Sequence, residues 1–200
     1  MKSILIIWGG WQGHDPQGVA EKLANILTDH RYQVDVRSDL GVLINENLKT
    51  YDVLIPIWSC GIASPIYIQP LLEAIESGLG LVTWHGGINW FDQADYYDLI
   101  GAYYLRDTPV ESYSVQLEDH AFTKGLTDFD IKSETYYMLV NPMNTLLATT
   151  SCKGHRLPLM WTKTYGAGRV FYSSLAHDLD QLFMPDHLSI LLRAIEWAAS

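Results

Sequence analysis

Cysteine is nearly absent: Cys60 and Cys152 are the two in a chain of 200 residues. Two cannot form a disulfide framework, and they make no CxxC pair of the kind that binds zinc or runs redox chemistry. Charge is sparse at 18%, and positive charge more so: 13 Lys and Arg stand against 23 Asp and Glu, for a formal net charge of −10. A chain this acidic repels phosphate backbones and anionic membrane surfaces, so neither nucleic acid nor membrane is an expected partner. No apolar run approaches the ~20 residues that cross a bilayer. HExxH, EF-hand, GxSxG and GxGxxG patterns are all missing. Met1-Lys2-Ser3 enters a strand-like run with no leader signal ahead of it, and a reducing cytoplasm is the expected compartment.

Hydrophobic residues are plentiful at 48%, which excludes disorder for the body of the chain. The length suits one domain, residues 1–200, with a sizeable core. Twelve Tyr and seven Trp suit an amphipathic ligand such as a sugar, although most aromatic side chains fill cores.

Ile4 to Trp8 is a continuous apolar run, as in a strand buried on both faces. Gly9-Gly10 break it. Asp15 and Pro16 then read as N-cap and first residue of a helix carrying Val19, Leu23, Ile26 and Leu27 on one stripe. Further strands are expected over 33–37, 52–58 and 79–84, with Pro56 awkward for a central strand. A helix from Pro70 through Ser77 would stop at Gly78. Beyond Gly101 the pattern turns β-rich: residues 112–117 and 134–140 are strand-like, and Gly166 and Gly168 mark a hairpin before Val170–Ser174. A closing helix carries Leu188, Leu191, Leu192 and Ile195. The alternation predicts an α/β protein with a doubly wound, mainly parallel sheet, helices on both faces and a β-rich C-terminal half.

Ligands of such sheets bind at the carboxyl ends of the strands. Three segments arrive there with unusual residues. Trp8-Gly9-Gly10-Trp11-Gln12-Gly13-His14-Asp15 pairs glycines that admit close backbone approach with a helix N-terminus. Val82-Thr83-Trp84-His85-Gly86-Gly87 has the form of an elbow that raises one side chain above the sheet; that side chain is an imidazole, suited to proton transfer or metal ligation. Val170 to Asp178 delivers His177 at a third strand end. Each has a structural alternative, respectively a capped turn, a core histidine and an exposed histidine. Glu134 and Cys60 are lesser candidates, Cys60 reading more readily as a small core residue. If His14, His85 and His177 gather at one edge, they form a set that zinc or another divalent ion accepts; no cofactor is assigned by spacing alone.

Together these segments, with His120–Phe129 and Ser133-Glu134-Thr135-Tyr136-Tyr137, resemble the ThuA-like family, named from trehalose utilisation, in the class I glutamine amidotransferase-like superfamily. The resemblance implies a flavodoxin-like sheet and a role in sugar catabolism beside oxidoreductases that make 3-keto sugars. It implies that His14, His85 and His177, with Glu134, line a carbohydrate pocket; read for acid–base chemistry, His85, Glu134 and His177 are then the expected catalytic residues, with Gly10, Trp11, His14, Gly86, Gly87, Trp90 and Tyr137 around a small-molecule carbohydrate. Glutaminases of the superfamily carry a cysteine where this chain has His85, so glutamine hydrolysis through a thioester has no nucleophile here. Ala176 stands where the family pattern has glycine.

Three functions remain open on the sequence: an isomerase, lyase or hydrolase acting on a sugar or 3-keto sugar by His/Glu acid–base chemistry; a metal-dependent version with the histidines as ligands; and a non-catalytic sugar-binding or assembly protein. The composition also permits a homodimer.

Overall fold

The computed structural model describes residues 1–59 and 63–200; Cys60 lies outside them. Strand β1 (Ser3–Gly10) leads through a 3-10 turn into α1 (Pro16–Asp29), β2 (Gln33–Arg37), the short α2 (Val42–Asn45) and β3 (Val53–Ser59). Next come α3 (Ile68–Glu76), β4 (Gly80–Trp84), a 3-10 turn over His85–Asn89, and α4 (Ala94–Ile100). The second half runs β5 (Ala102–Asp107), β6 (Glu111–Leu117), β7 (Phe129–Ser133), β8 (Tyr136–Val140), β9 (Thr145–Cys152), β10 (His155–Tyr165) and β11 (Gly168–Ser173). It closes on α5 (Leu179–Leu182) and α6 (Pro185–Ala198).

Nine strands form one sheet in the order β2-β1-β3-β4-β11-β10-β9-β6-β7, and β5 pairs with β8 in a separate ribbon. The large sheet is parallel from β2 to β11 and antiparallel beyond it. Alternate residues of β1 point to opposite faces. Ile4 and Ile6 pack with α1 and α6, whereas Leu5 and Ile7 pack with α3 and α4. Both faces are covered, which is why β1 reads as an unbroken apolar run.

Local chemistry accounts for most boundaries. The Asp15 carboxylate accepts from Gly18 N–H at 3.1 Å and Pro16 occupies the first helical position, so α1 starts as expected and buries Val19, Ala20, Leu23 and Leu27. Helix α3 begins two residues before the expected Pro70, which falls in the first turn, where a missing N–H costs nothing. Pro56 does sit inside the sheet. Its carbonyl accepts from Thr83 Oγ1 at 3.3 Å, so its missing donor faces β4, where the β3–β4 ladder extends only over Val53–Gly80 and Leu54–Leu81.

On α6 the buried stripe is His187, Ile190, Leu191, Ala194, Ile195 and Ala198; Leu188 and Leu192 lie at its margin. His187 is 1% exposed. Its Nδ1 donates to the Leu182 carbonyl at 3.1 Å, and Ser173 Oγ pairs with its Nε2 at 3.1 Å. Burial pushes its pKa down to about 4, against the pull of the Leu182 carbonyl. The strand expected over 134–140 begins at Tyr136, and Glu134 and Thr135 form the link from β7. Among the described residues, no helix is long and apolar enough to cross a membrane.

Candidate functional site

The carboxyl ends of β1, β3, β4 and β11 converge on three imidazoles. His85 follows β4 directly and adopts a left-handed backbone, φ +45°. Its turn is fastened from below: Tyr172 donates to the His85 carbonyl at 2.9 Å and Tyr96 to the Gly87 carbonyl at 2.5 Å, both from fully buried positions. Gly86 and Gly87 let the turn lie against the sheet, because a Cβ at either would come within 2.3 Å of Ser59 Cβ or 2.0 Å of Thr83 Oγ1. The expected elbow is therefore present, with histidine at its apex.

His14 ends the 3-10 turn after β1, and its Nδ1 meets Ser59 Oγ of β3 at 2.5 Å. Gly10 positions this turn rather than touching the cavity. Its φ is +79°, a Cβ there would stand 2.2 Å from the Ser59 carbonyl, and the next residue, Trp11, donates its N–H to that carbonyl at 2.8 Å. His177 follows β11 and the left-handed Ala176, φ +73°. Its Nδ1 donates to Glu134 Oε1 at 2.6 Å.

The three rings form a nearly equilateral triangle. Centroids lie 4.8 Å apart for His14–His85, 4.8 Å for His14–His177 and 5.0 Å for His85–His177, all edge to face. Glu134 Oε1 is 3.6 Å from His85 Nε2, and Tyr136 OH is 2.7 Å from His85 Nδ1. Burial, then the neighbouring His14, pushes the His85 pKa down to about 3, with Glu134 opposing. Burial and His177 lower that of His14. Burial alone would raise Glu134, but its backbone N–H and the two flanking imidazoles outweigh it and hold the carboxyl below its usual range.

Above the triangle opens a cavity of about 660 Å³. Its floor is His14, His85, Gly86, His177 and Glu134; its walls include Trp11, Tyr103, Tyr104, Tyr136, Asp92 and Asp107. No Lys or Arg lines it among the described residues, so the cavity is aromatic and acidic.

Besides Gly10, three expected contacts are corrected: Trp90, Tyr137 and Gly87. Trp90 is fully buried, packed 4.8 Å from Phe91 in the core, and does not line the cavity. Tyr137 points away as well: Arg106 lies over its ring at 4.6 Å and its hydroxyl meets Cys152 Sγ at 3.8 Å. Its neighbour Tyr136 faces the site, by strand alternation. Gly87 underlies the turn without reaching the large cavity. Sequence reasoning missed Asp92, on the approach to α4, and Tyr103, Tyr104 and Asp107 of β5. Those residues carry no motif; only the aromatic density of residues 96–104 hints at them.

Comparison with known proteins agrees with this architecture. The family model ThuA, described as trehalose utilisation, matches residues 3–198, so the chain belongs to that family. A ThuA-like protein from Parabacteroides merdae is 22% identical, over 100% of this chain and 90% of its own, with TM-score 0.81. One from Bacteroides uniformis is 18% identical over 99% and 91%, TM-score 0.80. A β-galactosidase from Bacillus circulans aligns over 97% of this chain and 30% of its own length, at 14% identity and TM-score 0.70. These likenesses show the fold. A search of curated proteins gives no match.

Proposed function

We propose that this ThuA-family chain acts in carbohydrate catabolism, moving a proton next to the carbonyl of a sugar or 3-keto sugar. The observation that carries the proposal is the carboxylate of Glu134 beside three clustered imidazoles, on the floor of a cavity walled by aromatic rings and hydroxyl-binding groups. Sugar rings present C–H faces that stack on indole and phenol rings, and hydroxyls that donate to carboxylates such as Asp92 and Asp107.

In this reading Glu134 is the proton acceptor. Its Oε1 is committed to His177, and Oε2, which accepts from Ser133 Oγ at 3.2 Å, is the oxygen left to take a carbon-bound proton. The imidazole cluster, with His85 and His177 flanking the carboxylate, forms the electrophilic pole that holds the developing enediolate oxygen. The C–H electron pair passes into the carbonyl, giving an enediolate. Returning the proton to the neighbouring carbon isomerises the sugar; expelling a β-oxygen substituent instead cleaves it. Glutaminase chemistry is not part of the proposal, because the elbow carries His85 rather than a thiol.

The order β2-β1-β3-β4 of the first half supports the flavodoxin-like description, and the cysteine-poor composition supports a cytoplasmic setting. The test is incubation with 3-keto sugars in D2O, followed by NMR. The protein is expected to wash deuterium into the position next to the carbonyl, and Glu134→Gln to abolish this without unfolding the chain. Absence of both exchange and conversion across a panel of neutral sugars and keto sugars would sink the proposal.

A further inference from the structure

We infer that His14, His85 and His177 together hold one divalent ion of zinc type, at the electrophilic pole of the site. This deepens the function proposed above and rests on the same cluster.

The geometry argues for it in four ways. First, one nitrogen from each ring lies within 4.8 Å of the other two. No hydrogen bond among the described residues joins two of these rings, so a ring-to-ring network does not account for the clustering. Second, oxygens hold two of the rings at Nδ1, Ser59 Oγ on His14 at 2.5 Å and Glu134 Oε1 on His177 at 2.6 Å, while Tyr136 OH lies 2.7 Å from Nδ1 and 3.1 Å from Nε2 of His85. That leaves the Nε2 atoms of His14 and His177 for a shared partner, with His85 Nε2, 3.6 Å from Glu134 Oε1, as the third donor. Ligating histidines are held in this manner, with the second nitrogen fixing tautomer and direction. For His85 to join them, the Tyr136 hydroxyl would settle on Nδ1, its shorter contact, and free Nε2.

Third, a second, smaller void of about 30 Å³ is lined by the same three rings, which also line the large cavity. An ion there would keep one coordination position facing the ligand space, as catalytic zinc does. Fourth, the donors are imidazoles with a carboxylate behind one of them, a set that suits zinc, cobalt or nickel and not calcium or magnesium. Zinc–nitrogen bonds of ~2.1 Å place ligand nitrogens roughly 3.4 Å apart, so nitrogens up to 4.8 Å apart would close by up to about 1.4 Å. The ion would take the sugar carbonyl oxygen as a Lewis acid, while Glu134 handles the proton.

The test uses full-length untagged protein stripped by chelator and titrated with Co2+, followed by visible absorption and calorimetry. The expected result is saturation at one equivalent with the absorption bands of a four- or five-coordinate nitrogen site. Single His14→Ala, His85→Ala and His177→Ala variants should weaken binding at least about 100-fold, and Glu134→Gln by 10- to 100-fold; His155→Ala, on an exposed strand end, should leave it unchanged. Absence of saturable one-equivalent binding to the wild type would overturn the inference, whatever the variants do. So would binding that survives all three histidine substitutions. Deuterium exchange on the stripped protein separates the two proposals. Exchange at the undiminished rate removes the ion and keeps the sugar chemistry, whereas tight cobalt binding with no exchange on any keto sugar removes the sugar chemistry and keeps the ion.

Discussion

His187→Gln isolates the contribution of one buried imidazole to acid sensitivity. In the folded protein His187 titrates at about 4 instead of the ordinary 6.5, because burial penalises its charged form. A histidine whose folded pKa is depressed takes up its proton more readily when unfolded. Its stabilising effect is therefore intact above pH 6.5 and is lost as the pH falls toward 4. For one site with these two values, the loss between pH 7.5 and pH 5 is about 2 kcal/mol. His85 and His14 are shifted in the same direction and add their own losses, so the informative quantity is the difference between wild type and variant. Glutamine keeps a polar atom near Ser173 and gives up the bond to the Leu182 carbonyl, costing about 1–2 kcal/mol at pH 7.5. Urea unfolding at both pH values should show the wild type losing about 2 kcal/mol more than the variant. Equal losses in the two proteins would mean that His187 is charged in the fold, and the burial argument would fail.

Two tryptophans should respond oppositely. Trp90→Ala empties a core position and is expected to cost about 3–5 kcal/mol, read by thermal unfolding. Trp11→Ala, half-exposed at the cavity rim, should change stability by no more than ~0.5 kcal/mol and weaken sugar binding in calorimetry. Ala176→Gly relieves a left-handed alanine, worth about 1 kcal/mol, against a comparable gain in unfolded-chain entropy; an unchanged or slightly raised melting temperature is expected, and a drop of several degrees would contradict it. In chelator-stripped protein, a phosphorylated sugar should bind at least about tenfold more weakly than its neutral parent, less so at high salt, because Asp92, Asp107 and Glu134 face the cavity with no Lys or Arg among its described walls. Tighter binding of the phosphate form would refute the acidic-cavity argument.

The strand-end glycines and histidines were legible because turns at the carboxyl edge of a parallel sheet impose strong local requirements, which leave a trace in the sequence. His14, His85 and His177 lie far apart along the chain, and the parallel register of β1, β3, β4 and β11 brings them together. What local pattern could not resolve was direction. Tyr136 and Tyr137 are adjacent and chemically identical, and only the phase of β8 decides which one meets His85. Trp90 follows a glycine-rich elbow like a ligand-stacking residue, yet the 3-10 turn over His85–Asn89 rotates it into the core. Strand β5 escaped because its partner β8 is distant in sequence, so tertiary pairing rather than intrinsic propensity makes it a strand; β7 and β9 pair with their chain neighbours β6 and β10, β9 through a tight turn at Lys153-Gly154, and sequence reasoning simply passed them over.

The ribbon of β5 and β8 stands outside the nine-stranded sheet, yet it supplies Tyr136 against His85 and, on its other strand, Tyr104 and Asp107 of the cavity wall. Under the proposed function, the histidines that serve the chemistry sit at the edge of the large sheet, and part of the wall that meets the ligand sits on a separate ribbon. Grafting residues 102–107 and 136–140 from one relative to another would transplant the choice of ligand while leaving that edge unaltered.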